Sequence, residues 1–258
     1  MTFYRYKIVV HYDGTNYHGW QIQKNHKTIQ GELEKALSDL TSQNISICGS
    51  GRTDSGVHAL AQVAHFDLLK KINPELIINA LNARINKDIR VLNCEIVKND
   101  FHARFSATKR SYVYRLRTNT YILDRHYTHC SSPLDLKLLN KASQLIIGDY
   151  DFTSFSKNNP KITNRRCVVY DSIWKDSESL LNYHITGNRF LHHMVRYLVG
   201  TMIEIGKKKF SLKKFEELLT IPKEDVQIYK APPNGLILGS ESIRQQLVDR
   251  RVPLFYHL

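Results

Sequence analysis

The alternation of apolar and polar residues predicts the same order of strands and helices twice along the chain. In the first half, four segments have the composition and alternation of strands: residues 3–12, 45–48, 62–68 and 90–97. Helices are predicted to begin after two capping residues, Thr28 and Asn73, the second of which is followed by Pro74. This order of strand, helix, strand, strand, helix and strand is that of the ferredoxin-like unit.

The second half repeats this order without a detectable repeat of the sequence itself. Strands are predicted over residues 110–118, 167–174, 180–186 and 236–242, and helices over 134–147, 189–205 and 212–219. Two such halves, residues 1–105 and 106–258, can share one broad sheet. The sequence therefore predicts an α+β fold of two ferredoxin-like halves on a mostly antiparallel sheet. A central cleft between the halves is the natural place for a functional site.

A glycine-rich loop in the first half carries a carboxylate into a strongly basic chain. Residues 49–56 are Gly-Ser-Gly-Arg-Thr-Asp-Ser-Gly, so Asp54 follows shortly after Arg52, while the formal net charge is +13. Taken alone, such a segment is more often a turn whose aspartate caps its own backbone. The loop is not a dinucleotide fingerprint, because four residues separate Gly51 from Gly56, nor a P-loop, because no Gly-Lys-Ser/Thr follows. A carboxylate in this setting indicates chemistry on a polyanion.

The distribution of basic residues predicts a nucleic-acid partner. Lys and Arg outnumber Asp and Glu by 37 to 24 and recur in three segments, residues 104–117, 157–166 and 189–214. In these segments they alternate with the aromatic residues Phe105, Tyr112, Tyr114, Phe190 and Tyr197. This mixture suits phosphates and bases together. A membrane is disfavoured, because no run approaches the ~20 apolar residues of a span and no strongly amphipathic terminal helix occurs.

Cysteine usage and the start of the chain favour a reduced, cytoplasmic protein. The four cysteines, at positions 48, 94, 130 and 167, are widely spaced, and no Cys-x-x-Cys pair occurs. His126, His129 and Cys130 are the only group that resembles metal ligands. They lack a fourth ligand at suitable spacing and are predicted to be polar loop residues. The first residues lack the features of a signal peptide.

Three side chains are predicted to meet at the cleft. The Asp54 loop connects two strands of the first half, Tyr112 lies with Tyr114 on one face of a predicted strand, and Arg196 lies on a basic predicted helix. Each has a structural alternative, since the tyrosines can face the core and Arg196 can be a surface charge. Together, an aspartate, an aromatic plane and an arginine form a coherent site for one base of a nucleic acid.

Seven segments place this loop in a pattern that covers nearly the whole chain. In chain order they are Tyr12-Asp13-Gly14-x-x-Tyr17-x-Gly19-Trp20-Gln21-x-Gln23, Gly51-Arg52-Thr53-Asp54-x-Gly56-Val57-His58-Ala59, Phe101-His102-Ala103-Arg104-Phe105-Ser106-Ala107, Arg110-x-Tyr112-x-Tyr114, Asp151-Phe152-x-x-Phe155, Phe190-Leu191-His192-His193-Met194-Val195-Arg196 with Val199-Gly200, and Pro232-Pro233-x-Gly235-Leu236. By these segments, in this order and spacing, the chain resembles the tRNA pseudouridine synthase A family. One departure falls in residues 236–243, which lack the Val-x-Tyr ending often seen in the family. It concerns the packing of the last strand rather than the site.

The resemblance implies a role for each candidate residue. Asp54 matches the catalytic aspartate of the family, Tyr112 the tyrosine that stacks on the target uracil, and Arg196 the arginine that pairs with the aspartate. Arg52 matches an arginine that holds the tRNA or the flipped nucleotide. The family further implies a homodimer that binds tRNA across both subunits, modification at positions 38, 39 and 40 of the anticodon stem-loop, and no cofactor or metal.

The chemistry of this reaction accounts for the residue types. Forming pseudouridine breaks the N1–C1′ bond of uridine, turns the uracil, and rejoins it through C5, so the reaction is redox-neutral. It needs a group that adds to C6 of the base, or that captures or deprotonates the ribose. A carboxylate with an ordinary pKa of about 3.9 is ionised at neutral pH, and an adjacent arginine keeps it so. The residues do not distinguish attack on the base from attack on the sugar.

Two other functions are compatible with a basic α+β chain. The first is a non-enzymatic RNA-binding module or tRNA chaperone on the same units, although the aromatic RNP signature of RRM domains is absent. The second is a nucleotide-phosphate enzyme, which the loop spacings disfavour. A zinc-dependent base deaminase is also disfavoured, because its His-x-Glu and Pro-Cys-x-x-Cys motifs are missing.

Overall fold

The chain folds around one sheet, to which each half contributes strands. The computed structural model describes residues 3–119, 121–177 and 180–239. In the first half, the elements are β1 (Tyr4–Tyr12), α1 (Ile29–Thr41), β2 (Cys48–Gly49), β3 (His58–Leu68), α2 (Pro74–Arg84) and β4 (Ile89–Val97). In the second half, they are β5 (Arg110–Arg117), β6 (His129–Cys130), α3 (Leu136–Leu145), β7 (Gly148–Asp151), β8 (Arg166–Ser177), β9 (Leu180–Gly187), α4 (Met194–Gly206), α5 (Leu212–Thr220) and β10 (Leu236–Gly239). Short 3-10 turns lie at Ile122–Asp124, Thr153–Phe155 and Pro233–Gly235.

The strand order explains how the two halves become one sheet. Within the described residues the order is β4-β1-β3-β10-β5-β9-β8-β7, with β2 attached to β3 and β6 to β5. Strand β10 joins the halves, because Leu238 pairs with Tyr112 of β5 on one side and with Ala59 of β3 on the other. The β3–β10 and β5–β6 pairings are parallel, and the other strand pairings are antiparallel. The predicted α+β class and the mostly antiparallel shared sheet are confirmed.

The two helix starts predicted in the first half are confirmed. The Thr28 hydroxyl accepts a hydrogen bond from the Gly31 N–H at the start of α1, and the Asn73 side chain accepts one from the Glu75 N–H at the start of α2. Both caps satisfy backbone donors that have no partner inside the helix. Pro74 occupies the first turn of α2, where a missing N–H costs nothing.

Strand β1 shows how alternation divides the two faces of the first-half sheet. Tyr6, Ile8 and Val10 have no exposed area and belong to the core that α1 and α2 also build. Arg5 and Lys7 point to the opposite face and form ion pairs with acidic residues of the neighbouring strands. One face of the sheet is thus covered by helices, and polar side chains collect on the other.

Helix α4 begins at Met194 rather than at the predicted residue 189. The preceding residues form a turn, in which the Met194 N–H donates to the Leu191 carbonyl and His193 has a left-handed φ of 64°. Leu191 is buried in this turn. Its burial imitates helical periodicity, and for this reason the sequence pattern places the helix start too early.

Smaller differences affect other elements. Residues 45–47 do not form a strand, although Ile45 and Ile47 are buried, while β3 begins at His58 instead of residue 62. Helix α3 is shorter than the predicted 134–147. The short strands β6 and β7 were not predicted, and the Gly-Asp-Tyr-Asp sequence of β7 is poor in strand-forming residues. Strand β10 is described to Gly239, and residues 240–242 of the predicted strand lie outside the described residues.

Candidate active site

The loop that carries Asp54 links β2 to β3 and is held by the segment after β1. The Trp20 N–H donates to the Thr53 carbonyl at 3.2 Å, and the Gly56 N–H donates to the Tyr17 carbonyl at 3.3 Å. The buried hydroxyls of Tyr12 and Thr53 lie 2.8 Å apart in a hydrogen bond. Residues on both sides of Asp54 are therefore anchored, which limits the movement of its backbone.

The anchoring segment requires a glycine at position 19 because of its backbone conformation and its close approach to the Asp54 loop. The φ of Gly19 is +84°, and a Cβ atom at this position would lie 2.5 Å from the Thr53 carbonyl oxygen and 3.0 Å from the Asp54 carbonyl carbon. Both the backbone conformation and the close approach exclude a side chain. The Gly19-Trp20 pair in the sequence is therefore part of the support of the Asp54 loop.

The Asp54 carboxylate is largely buried among three nitrogen donors. Arg196 Nη1 lies 3.0 Å from Oδ2, His193 Nε2 lies 3.5 Å from Oδ2, and His192 Nε2 lies 3.5 Å from Oδ1. Burial alone would raise the pKa of Asp54, but the contacts with His192, His193 and Arg196 outweigh it and lower the pKa below its ordinary value. Asp54 is therefore an ionised carboxylate at neutral pH.

Arg196 is aimed at Asp54 by the segment that packs on α4. Its Nε–H donates to the Ala231 carbonyl at 2.9 Å, and the Ala231 N–H donates back to the Arg196 carbonyl at 2.9 Å. Gly200, one turn further along α4, permits this packing, because a Cβ atom there would lie 2.4 Å from the Tyr229 carbonyl oxygen. The structure thus brings Arg196 and Asp54 together from the two halves of the chain, as the resemblance implies.

Tyr112 lies on β5 beside this pair. Its ring is buried and packs edge to face against Phe190, with the ring centroids 5.4 Å apart. Burial, together with the negative charge of Asp54, raises the pKa of Tyr112 to about 12, so its phenol stays neutral. Tyr114, two residues on, is fully buried and donates its hydroxyl proton to the Pro232 carbonyl, which gives it a structural role.

Arg52 occupies a different environment from the other three candidate residues. Its side chain is exposed, and the structure gives its guanidinium no ion pair or hydrogen bond within residues 3–119, 121–177 and 180–239. It lies two positions before Asp54 in the same loop. An exposed, unpaired guanidinium at the edge of the site can bind a phosphate of a ligand.

The sequence interpretation missed the role of His193. This residue caps α4 in a left-handed conformation, and its Nδ1 is buried without a hydrogen-bond partner among the described residues. Burial lowers its pKa to about 4, against the opposing effect of Asp54, so His193 is neutral at neutral pH. Its Nε2 therefore lies 3.5 Å from Asp54 Oδ2 without bringing a second full charge to the site. The His-His pair before Arg196 was visible in the sequence, but its contact with Asp54 was not.

The structure groups possible metal ligands differently from the sequence prediction. Within the described residues, the sets whose ligand atoms lie within 4.8 Å of one another are Asp54 with His192 and His193, and Cys48 with His65 and His102. The prediction that residues 126, 129 and 130 form the only such group is therefore wrong, and two of them lie on strand β6 rather than in a loop. In the first set, the Asp54 carboxylate is already paired with the Arg196 guanidinium, which takes the place that a metal ion would need.

The second set is also unsuited to a metal ion. His65 Nδ1 accepts the Ala103 N–H, and His102 Nδ1 accepts the Arg104 N–H. These bonds leave the ring proton of each neutral histidine on Nε2, the atom that faces Cys48 in the case of His102. Metal ligation by Nε2 would require that this proton be lost, and the backbone donors at Nδ1 prevent its transfer there.

The fold and the site together define a class of protein. A buried, ionised aspartate is paired with an arginine beside an aromatic side chain, and an unpaired arginine flanks the pair on a chain of net charge +13. This arrangement suits an enzyme that acts on a nucleic-acid base. Among the described residues, no helix is long and apolar enough to cross a membrane.

Comparison with known proteins identifies the family. Residues 8–106 and 142–240 match the family described as tRNA pseudouridine synthase. The chain is 39% identical to the tRNA pseudouridine synthase A of Thermoanaerobacter sp. over 234 residues, which cover 90% of this chain and 96% of the relative. It is 38% identical to the enzyme of that name from Bacillus pumilus and 36% identical to that from Latilactobacillus sakei, with 90% and 91% of this chain and 96% of each relative covered. The chain belongs to the tRNA pseudouridine synthase family.

A search of solved structures found a weaker likeness. A chain of a Cbf5-Nop10-Gar1 complex aligns with 89% of this chain and 56% of its own length, at 11% identity and a TM-score of 0.36.

The buried His193 predicts a specific pH dependence of stability. In the folded state its pKa is lowered to about 4, whereas in the unfolded chain it returns to about 6.5. The unfolded state therefore binds more protons between these values, and the free energy of unfolding falls as the pH is lowered through this window. We expect the His193→Gln variant to lose less stability than the wild type between pH 6.5 and about 4.

Urea denaturation across this pH range measures the effect. The matched control is His18→Gln, which changes an exposed histidine. It should follow the wild-type pH dependence. An identical pH dependence for His193→Gln and the wild type would contradict the assigned neutral state of His193.

Proposed function

We propose that this protein isomerises uridine to pseudouridine at positions 38, 39 and 40 in the anticodon stem-loop of tRNA, with Asp54 as the catalytic carboxylate. The observation that carries the proposal is the Asp54–Arg196 pair, which holds an ionised carboxylate at 3.0 Å from a buried guanidinium. The protein that contains this pair belongs to a family of isomerases that act on tRNA. The positions in the stem-loop come from the resemblance of the sequence to that family.

The reaction requires an ionised carboxylate on either of its two possible routes. The N1–C1′ bond breaks, the uracil turns, a C5–C1′ bond forms, C5 loses its proton, and N1 gains one. In one route, Asp54 adds to C6 of the base, and in the other it acts on the ribose. Arg196 keeps Asp54 ionised in both, so its role is to hold the nucleophile charged and oriented.

Tyr112 and Arg52 are proposed to bind the target nucleotide. A uridine must leave the base stack to reach Asp54, at a cost of about a few kcal/mol. Stacking on the Tyr112 ring returns about 1–3 kcal/mol of this cost. Arg52, which is exposed and close to Asp54 in sequence, binds a phosphate of the tRNA or of the flipped nucleotide.

The proposal includes the organisation and location of the enzyme. Residues 1–105 form the half that carries Asp54 and Arg52, and residues 106–258 form the half that carries Tyr112 and Arg196. The isomerisation is redox-neutral and requires no cofactor. The four cysteines are free thiols, which suits the reducing cytoplasm.

We expect a homodimer in which both subunits contact one tRNA. Each half offers a limited basic face, and a tRNA is long compared with one subunit. Sedimentation velocity of the protein with and without tRNA measures the masses of the free and bound species. A stable monomer that is fully active at low concentration would overturn this part of the proposal.

Asp54→Asn tests the catalytic role of the carboxylate. Asparagine keeps the size of the side chain and serves equally well in a turn, but it removes the nucleophilic charge. We expect single-turnover pseudouridine formation to fall by at least ~10³-fold, while tRNA binding persists or tightens because a negative charge facing RNA is lost. Asp54→Asn leaves the buried Arg196 without its charged partner, which destabilises the fold. Pseudouridine yield and tRNA affinity are therefore both measured on the same sample of folded protein.

Asp39→Asn is the matched control, because Asp39 is exposed on α1. It should leave both quantities unchanged. Substantial pseudouridine formation by Asp54→Asn would mean that Asp54 has only a structural role in this loop. Tight tRNA binding by a wild-type protein that makes no pseudouridine would instead favour an RNA-binding module without catalysis.

Arg52→Gln tests the contact with phosphate. If Arg52 neutralises one phosphate, its loss weakens tRNA binding and reduces the magnitude of the slope of log affinity against log salt by about one. Arg84→Gln, a change on the exposed side of α2, is the control. Filter binding over a salt series measures both slopes. Equal slopes for Arg52→Gln and the wild type would contradict the contact.

A further inference from the structure

Phe105 presents a large aromatic surface to solvent. Its side chain is 78% exposed, and among the phenylalanines of residues 3–119, 121–177 and 180–239 it alone is mostly open to solvent. The ring does not pack in the core, so most of its surface is available to a ligand. The catalytic contacts described above do not use it.

Hydrogen bonds hold the turn that carries Phe105. The His102 Nδ1 atom accepts the backbone N–H groups of Arg104 and Phe105, and the His102 carbonyl accepts that of Ser106. The preceding Ala103 N–H is bound by His65 of β3. Every backbone donor from 103 to 106 is therefore satisfied, and this preorganisation reduces the conformational cost of binding at the ring.

The neighbours of Phe105 create an aromatic and cationic surface. The His102 ring packs against it with centroids 4.3 Å apart and an interplanar angle of 30°. The guanidinium of Arg104, an exposed side chain, lies 6.0 Å from the centroid of the Phe105 ring. An aromatic plane beside a cation is the combination that binds a nucleobase together with its phosphate.

Arg110 connects this turn to the Asp54 loop. Its Nη2 donates to the Arg104 carbonyl at 2.8 Å and to the Ser50 carbonyl at 2.9 Å, and its Nη1 donates to the Asn188 carbonyl at 2.8 Å. Ser50 begins the loop that leads to Asp54, and Asn188 precedes the segment of His192 and His193. The Phe105 turn is thus fixed relative to both sides of the candidate active site.

We propose that Phe105 is a platform on which a second nucleobase of the RNA substrate stacks, outside the pocket of the target uridine. Arg104 binds the phosphate of that nucleotide. The platform orients the strand so that the target reaches Asp54, and it favours an unpaired or splayed nucleotide, because a base inside a helix has no free face. This inference rests on the proposed function in taking RNA as the ligand.

Phe105→Trp tests the contact directly. Both native tryptophans, Trp20 and Trp174, are buried, so the new indole is the exposed one and dominates quenching by solutes. We expect unfractionated tRNA to quench its fluorescence and to protect it from iodide. Heparin, a polyanion without bases, should bind without this quenching. Fluorescence that does not change when tRNA binds would overturn the proposal.

A substitution series measures the contribution of the ring to affinity. Phe105→Leu keeps an apolar side chain but removes the aromatic plane, and we expect its tRNA dissociation constant to rise by about 5- to 100-fold. Phe105→Tyr keeps the ring and should bind like the wild type. Leu76→Ala, which removes another exposed apolar side chain on α2, is the control. Thermal melts verify the fold of each variant.

The outcomes separate this inference from the proposed function. Wild-type affinity in Phe105→Leu, in a protein that forms pseudouridine, overturns the platform and leaves the function intact. Ring-dependent RNA binding by a protein without pseudouridine formation supports the platform and overturns the function. Loss of self-association in Phe105→Leu, with unchanged RNA affinity, would assign this surface to a second copy of the chain and overturn the platform.

Discussion

The ion pair between Asp54 and Arg196 is the interaction on which the candidate active site depends. Its partners are 142 positions apart and belong to different halves of the chain. In a charge pair with little solvent contact, loss of either partner leaves the other charge buried and uncompensated. Both side chains must therefore be held in place. The surrounding contacts meet this requirement: the Gly19-Trp20 segment fixes the aspartate loop, and the backbone at Ala231 fixes the guanidinium.

The arginines of this chain perform two different tasks, which net charge alone does not distinguish. Arg110 and Arg196 are turned inward, where their guanidiniums bind backbone carbonyls and connect segments of the chain. Arg52 and Arg104 are exposed. The first pair links segments around Asp54, and the guanidiniums of the second pair are open to solvent. The total of 37 basic residues therefore overstates the charge that is available for nucleic-acid binding.

Local signals in the sequence were sufficient for most of the fold, and contacts between distant segments account for what they missed. The caps at Thr28 and Asn73 and the alternation along β1 act within a few residues, so they could be predicted. The late start of α4 depends on the turn at His193, which tertiary packing stabilises. In the candidate active site, Asp54, Tyr112 and Arg196 could be selected from the sequence as site residues. The neutral state of His193 could not be predicted from the sequence, because it follows from burial rather than from residue type.

The position of β10 has a consequence for how the protein is made. This strand, Leu236–Gly239, lies between β3 and β5, so the sheet is complete only when it has been inserted. The ribosome delivers the chain from its amino terminus, and Asp54 emerges long before residues 236–239. A nascent chain therefore has its carboxylate before the shared sheet is complete. Pairings between segments so distant in the chain also form slowly. Assembly of the shared sheet thus waits for the synthesis of residues 236–239.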